Sequence, residues 1–195
     1  MMRCTQPTLG PALDQVATMG ASIPVLRGPR VTLRAPKLRD FPAYQEIICS
    51  EHGQFLGPEN ASPSEAWYGF AAMTGGWLLH GHGGWAVELS AGEAAGETVG
   101  FVLIGLEPGD LEPELGYLFR AAFEGQGLAF EAASLALSHA SAALQFPSLV
   151  SYIDPENSRS VALAKALGAA PDGTVSGSVV YRHLMDGDGA PEAYA

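Results

Sequence analysis

Glu114-Leu115-Gly116-Tyr117-Leu118-Phe119, followed by Phe123-Glu124-Gly125-Gln126-Gly127-Leu128-Ala129-Phe130-Glu131-Ala132, is the stretch whose reading decides the fold. The first six residues form a short apolar run of strand length. Gly125 and Gly127 then allow the backbone positive φ and close approach to a ligand. From about Gly127 to Leu144 the pattern becomes helical: Leu128, Ala132, Leu135, Ala136 and His139 share one face. The start of such a helix exposes unpaired N–H groups and the positive end of a dipole, a ready site for phosphate oxygens. Tight turns use the same glycines, so context has to narrow the reading. The loop lacks the Lys-Ser/Thr of a nucleotide phosphate loop and the third glycine of a dinucleotide fingerprint.

Working outward, Phe146-Pro147 stops the helix and Leu149–Ile153 reads as a buried strand. A second helix covers about Ser158 to Leu167, capped by Asn157 and closed by Gly168, and Val179–Leu184 makes a last strand. On the N-terminal side, Trp85–Leu89, Thr98–Leu106 and Glu114–Phe119 are three short strands on brief connections, an antiparallel meander. Earlier still, Val31–Ala35 alternates like a half-buried strand, and Asp40 offers an N-cap for a helix through about Cys49. Ser62-Pro63-Ser64-Glu65 has capping-box spacing for another. Residues 1–24 show no clear period and read as a weakly ordered arm. Residues 25–185 form one α/β domain, and residues 186–195 a frayed tail.

Composition fits one domain with a sizeable core: 47% of the 195 residues are hydrophobic and 16% charged. A formal net charge of −11 argues against nucleic acid, whose phosphates need cations. It is compatible with a cationic or amine substrate, or with solubility alone, so charge by itself decides little. No apolar run approaches the ~20 residues of a membrane span, and no signal-peptide core follows Met1, so the cytoplasm is the expected compartment. Cys4 and Cys49 are too few for a disulfide framework. His80 and His82, flanked by glycines, lack neighbouring ligands and read as a solvated loop, so no metal is expected. Trp67, Trp77 and Trp85 could wall a substrate pocket, but core anchoring or surface stacking accounts for at least two of them more simply.

The strand–glycine loop–helix unit resembles the GNAT acetyltransferase superfamily, in particular its Rim-type ribosomal-protein N-terminal acetyltransferase branch. The later Asn157-Ser158-Arg159-Ser160 leading into Ala164–Gly168, and the opening strand with Arg34 followed by Arg39-Asp40, are similar to that branch as well. The resemblance covers about residues 25 to 185. It implies a mixed, mostly antiparallel sheet with a central splay between two parallel strands, Leu115–Phe119 and Leu149–Ile153. Acetyl-CoA is the implied co-substrate. Backbone groups of Leu118 and Phe119 would pair with its pantetheine arm, and N–H groups of Gly125, Gln126, Gly127, Leu128 and Ala129 would hold its pyrophosphate. Asn157 would meet the pantetheine or acyl end, with Ser160 near the sulfur. Glu124 and Gln126 depart from the usual loop, which makes weaker CoA affinity, or reliance on Arg120 and Arg159, the expectation.

Direct transfer to an amine needs a neutral nucleophile and a proton for the leaving thiolate. The resemblance puts Glu114 in the base position and Ser160 in the donor position. The plainer readings are a strand-end carboxylate in solvent or paired with an arginine, and a first-turn serine backing the Asn157 cap. Tyr152 is a weaker donor candidate, read mainly as packing. The expected acceptor is a small-molecule amine or a protein N-terminus, its pocket shaped by the stretch from His52 to Gly84, and a homodimer is compatible with this. A GNAT-like module that binds acyl-CoA without turnover is the alternative, and a nucleotide-binding enzyme the third reading.

Overall fold

The computed structural model describes residues 2–58 and 60–183. In chain order the main elements are α1 (Pro11–Ala21), β1 (Leu26–Arg27), β2 (Val31–Arg34), α2 (Phe41–Ile48), α3 (Pro63–Leu79), β3 (Gly84–Leu89), β4 (Thr98–Gly105) and β5 (Glu114–Phe119). Then follow α4 (Leu128–Ala142), β6 (Leu149–Ile153), α5 (Ser158–Ala166), β7 (Ala170–Val175) and β8 (Ser178–His183). The eight strands form one sheet in the order β1-β2-β3-β4-β5-β6-β8-β7. Every neighbouring pair is antiparallel except β5 and β6, which run parallel and meet at one register pair, Glu114 with Val150. Beyond that point the two strands part, as the resemblance implied.

Alanines bring α4 close to the sheet. Leu128, Ala132, Ala133, Ala136 and Ala140 are buried against Val31, Trp85, Val102, Ile104, Leu115 and Leu149. The face is rotated from the expected one: Ala133 and Ala140 belong to it, while Leu135 and His139 are only half-buried. Small side chains let the backbone approach, and the larger ones cover the edges. On the opposite face α2 and α3 bury an aromatic cluster, where Phe41, Tyr44, Phe70 and Phe101 meet edge to face.

Several expectations are revised. Asp40 does not cap α2. It lies in a preceding 3-10 turn, fully buried, and accepts from both Arg34 terminal nitrogens, from Thr98 Oγ1 and from Lys37 N–H. Ser62 and Glu65 do form the reciprocal cap of α3. The N-terminal arm contains α1, an apolar-bearing helix with no buried residue, entered through Gly10 at φ 63° and Pro11. The hairpin strand β7 was not anticipated, because Ala170–Val175 carries Pro and Gly and is almost wholly exposed. Leu184, expected to end the last strand, and the tail from residue 186 lie outside the described residues. His82 is buried, its Nδ1 2.7 Å from the Ile104 carbonyl, and stacks on His80.

Candidate functional site

The parting of β5 and β6 creates the site. Val150 N–H donates to the Pro113 carbonyl and Ser151 Oγ to the Leu115 carbonyl, so odd-numbered backbone groups of β5 face β6. Arg120 N–H donates to the Val99 carbonyl on the other side. Strand alternation then turns Leu118 toward β4, and turns Tyr117 and Phe119 toward the gap, where β6 no longer pairs with them. The open-edge backbone pair is therefore Tyr117 and Phe119, not Leu118 and Phe119. Leu118 contributes its buried side chain to the wall instead.

At the far end of β5 the chain passes through Gly125 (φ 71°) and Gly127 (φ 74°) into α4, with Gly127 as N-cap. Nothing lies within 4 Å of a Cβ built on Gly125. The loop is thus open to a ligand, and the first-turn N–H groups of α4 have no side-chain cap. A pyrophosphate fits such a cradle of positive φ, bare backbone and helix N-terminus.

Charge near the loop is arranged differently from expectation. Arg159 Nη1 lies 2.8 Å from both Glu124 carboxylate oxygens, so the unfavourable carboxylate is neutralised locally. Arg120 is turned away and pairs with Glu46 and Glu97. A cation missed in the sequence stands closest: Arg30 Nη1 donates to the Gln126 carbonyl, and its Nη2 lies 3.4 Å from where a Gly127 Cβ would be. Glu131 in the first turn of α4 holds that guanidinium through Nε and also accepts the N–H groups of Arg30 and Val31. Only proximity in the fold reveals this, since the two residues are a hundred positions apart in sequence.

Two cavities meet at the splay. One, about 430 Å³, is lined by Phe119, Phe123, Gly125, Gly127, Leu128 and Ala129 among others. The second, about 500 Å³, is lined by Tyr44, Phe55, Met73, Glu114, Ser151 and Tyr152 among others. Leu56, Tyr117, Leu118, Asn157 and Ser160 belong to both walls, so the two are halves of one cleft. Phe55 to Pro58, Gly69, Ala72 and Met73 come from the stretch expected to shape the acceptor pocket.

Glu114 stands in the second half. Its Oε1 accepts Tyr152 N–H at 3.1 Å, taking the ladder position that the separating strands leave empty. Burial pushes its carboxyl up to about 7, against that hydrogen bond and helped by the negative charges of Asp110 and Glu107. It is not the solvent-exposed strand-end carboxylate of the plainer reading. Asn157 Oδ1 caps α5 by accepting Ser160 N–H, and the Ser160 carbonyl receives the Tyr117 hydroxyl at 3.0 Å. The Tyr152 hydroxyl accepts N–H groups of Leu111 and Glu112, which fixes it to the β4–β5 loop. Among the described residues no group of three or more His, Cys, Asp or Glu is placed to hold a metal, and neither cysteine lines the cleft.

Comparison with known proteins gives one answer. The acetyltransferase (GNAT) domain family matches residues 30–170. An acetyltransferase from Agrobacterium tumefaciens str. C58 shares 37% identity over 83% of this chain and 95% of its own, with a TM-score of 0.76. The fold is also that of RimL, a ribosomal L7/L12 alpha-N-protein acetyltransferase, at 16% identity, TM-score 0.66, 83% of this chain and 94% of the other. It is shared as well by MccE, a microcin C7 self-immunity acetyltransferase solved with acetyl-CoA and AMP, at 14% identity, TM-score 0.63, 80% and 93%.

Proposed function

The chain belongs to the GNAT acetyltransferase family, and from that premise we propose that it transfers an acetyl group from acetyl-CoA directly to a primary amine, within a ternary complex. The observation that carries the proposal is the single cleft through the sheet, with the glycine loop at one end, Glu114 at the other, and Tyr117, Asn157 and Ser160 in the shared wall. The acceptor is a small-molecule amine or a protein N-terminus, and the expected compartment is the cytoplasm.

The residues divide the task. Backbone N–H groups from Gly125 to Ala129 hold the pyrophosphate, and the open edge at Tyr117 and Phe119 takes the pantetheine as a pseudo-strand. Arg30 stiffens the loop and adds positive charge beside it. When bound, acetyl-CoA supplies an acyl group activated as a thioester. Glu114, its proton affinity set near neutrality, accepts the proton of the bound ammonium and frees the nitrogen to attack the thioester carbonyl. The second N–H proton, released as the C–N bond forms, balances the one delivered to the sulfur. Ser160, or water beside it, returns a proton to the sulfur as the C–S bond breaks. Asn157 keeps Ser160 in place through the cap, leaving its amide N–H groups for the ligand.

Incubation with acetyl-CoA and a panel of primary amines tests the reading, with thiol release and acetylated product followed together. Transfer to at least one amine class is expected. Acetyl-CoA binding by calorimetry with no thiol release across the panel would favour the non-catalytic acyl-CoA-binding module instead.

A further inference from the structure

Resting on that reading of the cleft, we infer that its acceptor half selects amines carrying a second cationic group, joined to the reacting amine through an apolar spacer. The site itself is given by the cavity that opens from the splay; its charge decides the class of ligand. Four carboxylates line it: Glu107, Asp110, Glu114 and Asp154. Of the described residues, no Lys, Arg or His belongs to its wall.

Six of the chain's ten Lys and Arg residues are paired elsewhere. Arg30, Arg34, Arg39, Arg120, Arg159 and Arg182 pair with Glu131, Asp40, Glu88, Glu46, Glu97, Glu124, Glu112 and Asp172. Among the described residues, none of these pairs includes a carboxylate of the cavity. Glu107 and Asp110 are held together in the β4–β5 loop, where Glu107 N–H donates to Asp110 Oδ2 at 2.6 Å and Asp110 N–H to the Glu107 carbonyl. Both are close enough to Glu114 to raise its proton affinity.

The reacting nitrogen cannot balance this charge, because it must lose its proton to Glu114 in order to attack. Glu107, Asp110 and Asp154 are left for a different cation on the same molecule. The same cavity also has apolar lining, with Tyr44, Ile48, Phe55, Met73 and Leu103. An aliphatic spacer matches that lining, and an acceptor bearing its own carboxylate is repelled.

Pentane-1,5-diamine, pentylamine and 5-aminopentanoate make the comparison, since they share a chain length and differ in the charge at the far end. The expected order in kcat/KM is diamine, then pentylamine, then the amino acid, with about tenfold between the first two at low salt and a smaller ratio at high salt. Glu107→Gln with Asp110→Asn should bring that ratio to within about twofold, and Asn keeps the acceptor for Glu107 N–H. Two tripeptides with free N-termini, one with Lys and one with Glu at the second position, tell a peptide source from a free diamine. Equal turnover of pentylamine and the diamine would leave amine transfer standing and sink the selectivity. Calorimetry on the CoA-saturated protein measures the selectivity without turnover: the diamine should bind more tightly than pentylamine, and equal affinities refute the inference even if no amine is acetylated.

Discussion

Glu114 Oε1 receives the Tyr152 backbone N–H at the point where β5 and β6 part. One carboxylate thus closes the ladder and faces the acceptor cavity. Because burial raises its carboxyl to about 7, the parent enzyme should gain activity as pH rises through neutrality and then level off. Glu114→Gln, which keeps the acceptor oxygen for Tyr152, should lower kcat on the order of 10²-fold and remove that limb of the pH profile. Affinity for CoA should stay within about twofold. A variant with parental kcat and an unchanged profile would take Glu114 out of the chemistry.

The same group makes a prediction about stability. A carboxyl whose folded pKa lies above its unfolded value favours the folded state while protonated. That advantage is full below the ordinary carboxylate pKa near 4.5, declines between 4.5 and about 7, and is gone above. Thermal melts should show Glu114→Gln raising Tm relative to the parent at pH 8, with the difference shrinking at pH 5. An increase that is equal at both pH values would mean that the carboxylate carries no burial penalty.

Glu124 and Arg159 at the loop call for a double-mutant cycle. With Arg159 in place, the Glu124 charge is compensated, so Glu124→Gln should tighten CoA only modestly, by about 0.3–1 kcal/mol. Arg159→Met removes that guanidinium from beside the Glu124 carboxylate and should weaken CoA by more than that. The double variant should return close to the parent. Strict additivity by calorimetry would show that the pair does not act as a unit at the phosphate site.

Gly125→Val and Gly127→Asp probe the cradle itself. Both positions have φ above 70°, so a β-branched residue is strained there. Asp at position 127 also puts a carboxylate beside the Arg30 guanidinium, 3.4 Å from the Cβ, where it competes with the incoming phosphate. Acetyl-CoA binding should be lost in each variant while far-UV circular dichroism stays parental. Unchanged binding in both would move the phosphate site elsewhere.

Local signals carried most of this architecture. The strand at Glu114–Phe119, the loop glycines, the Ser62-Glu65 cap and the Asn157 cap each sit within a few residues of their partners, so spacing alone reveals them. What sequence could not reveal depends on pairing across the fold. Asp40 is captured by Arg34 and Thr98, Glu124 by Arg159, and Arg30 reaches the loop through Glu131. Whether Leu118 or Tyr117 turns its backbone to the gap depends on the β4–β5 register, which strand patterning leaves undetermined. The exposed hairpin strand β7 has no apolar face to announce it.

Direct transfer makes the last prediction. Under the proposed mechanism both substrates occupy the two halves of one cleft before the thioester is attacked, so initial rates should follow sequential kinetics. A covalent route would require a nucleophile in the wall, and the chain's thiols are elsewhere: Cys4 and Cys49 are exposed and outside both cavities. Partial desolvation of its sulfur and the nearby Glu65 charge also push the Cys49 thiol up, which disfavours the thiolate. Cys49→Ser should therefore keep parental turnover. Ser160 borders both halves, where a departing thiolate would need a proton, and its backbone is fixed by Asn157 and Tyr117. Ser160→Ala should lower kcat about tenfold or less, below the Glu114→Gln effect, because water can replace the hydroxyl. The deficit should widen at high pH, where solvent protons are scarcer. Ping-pong patterns, or an acetylated Cys49 seen by intact mass after acetyl-CoA alone, would refute direct transfer. Parental rates in both Ser160→Ala and Glu114→Gln would leave the alignment of two substrates in the split sheet as the main source of catalysis.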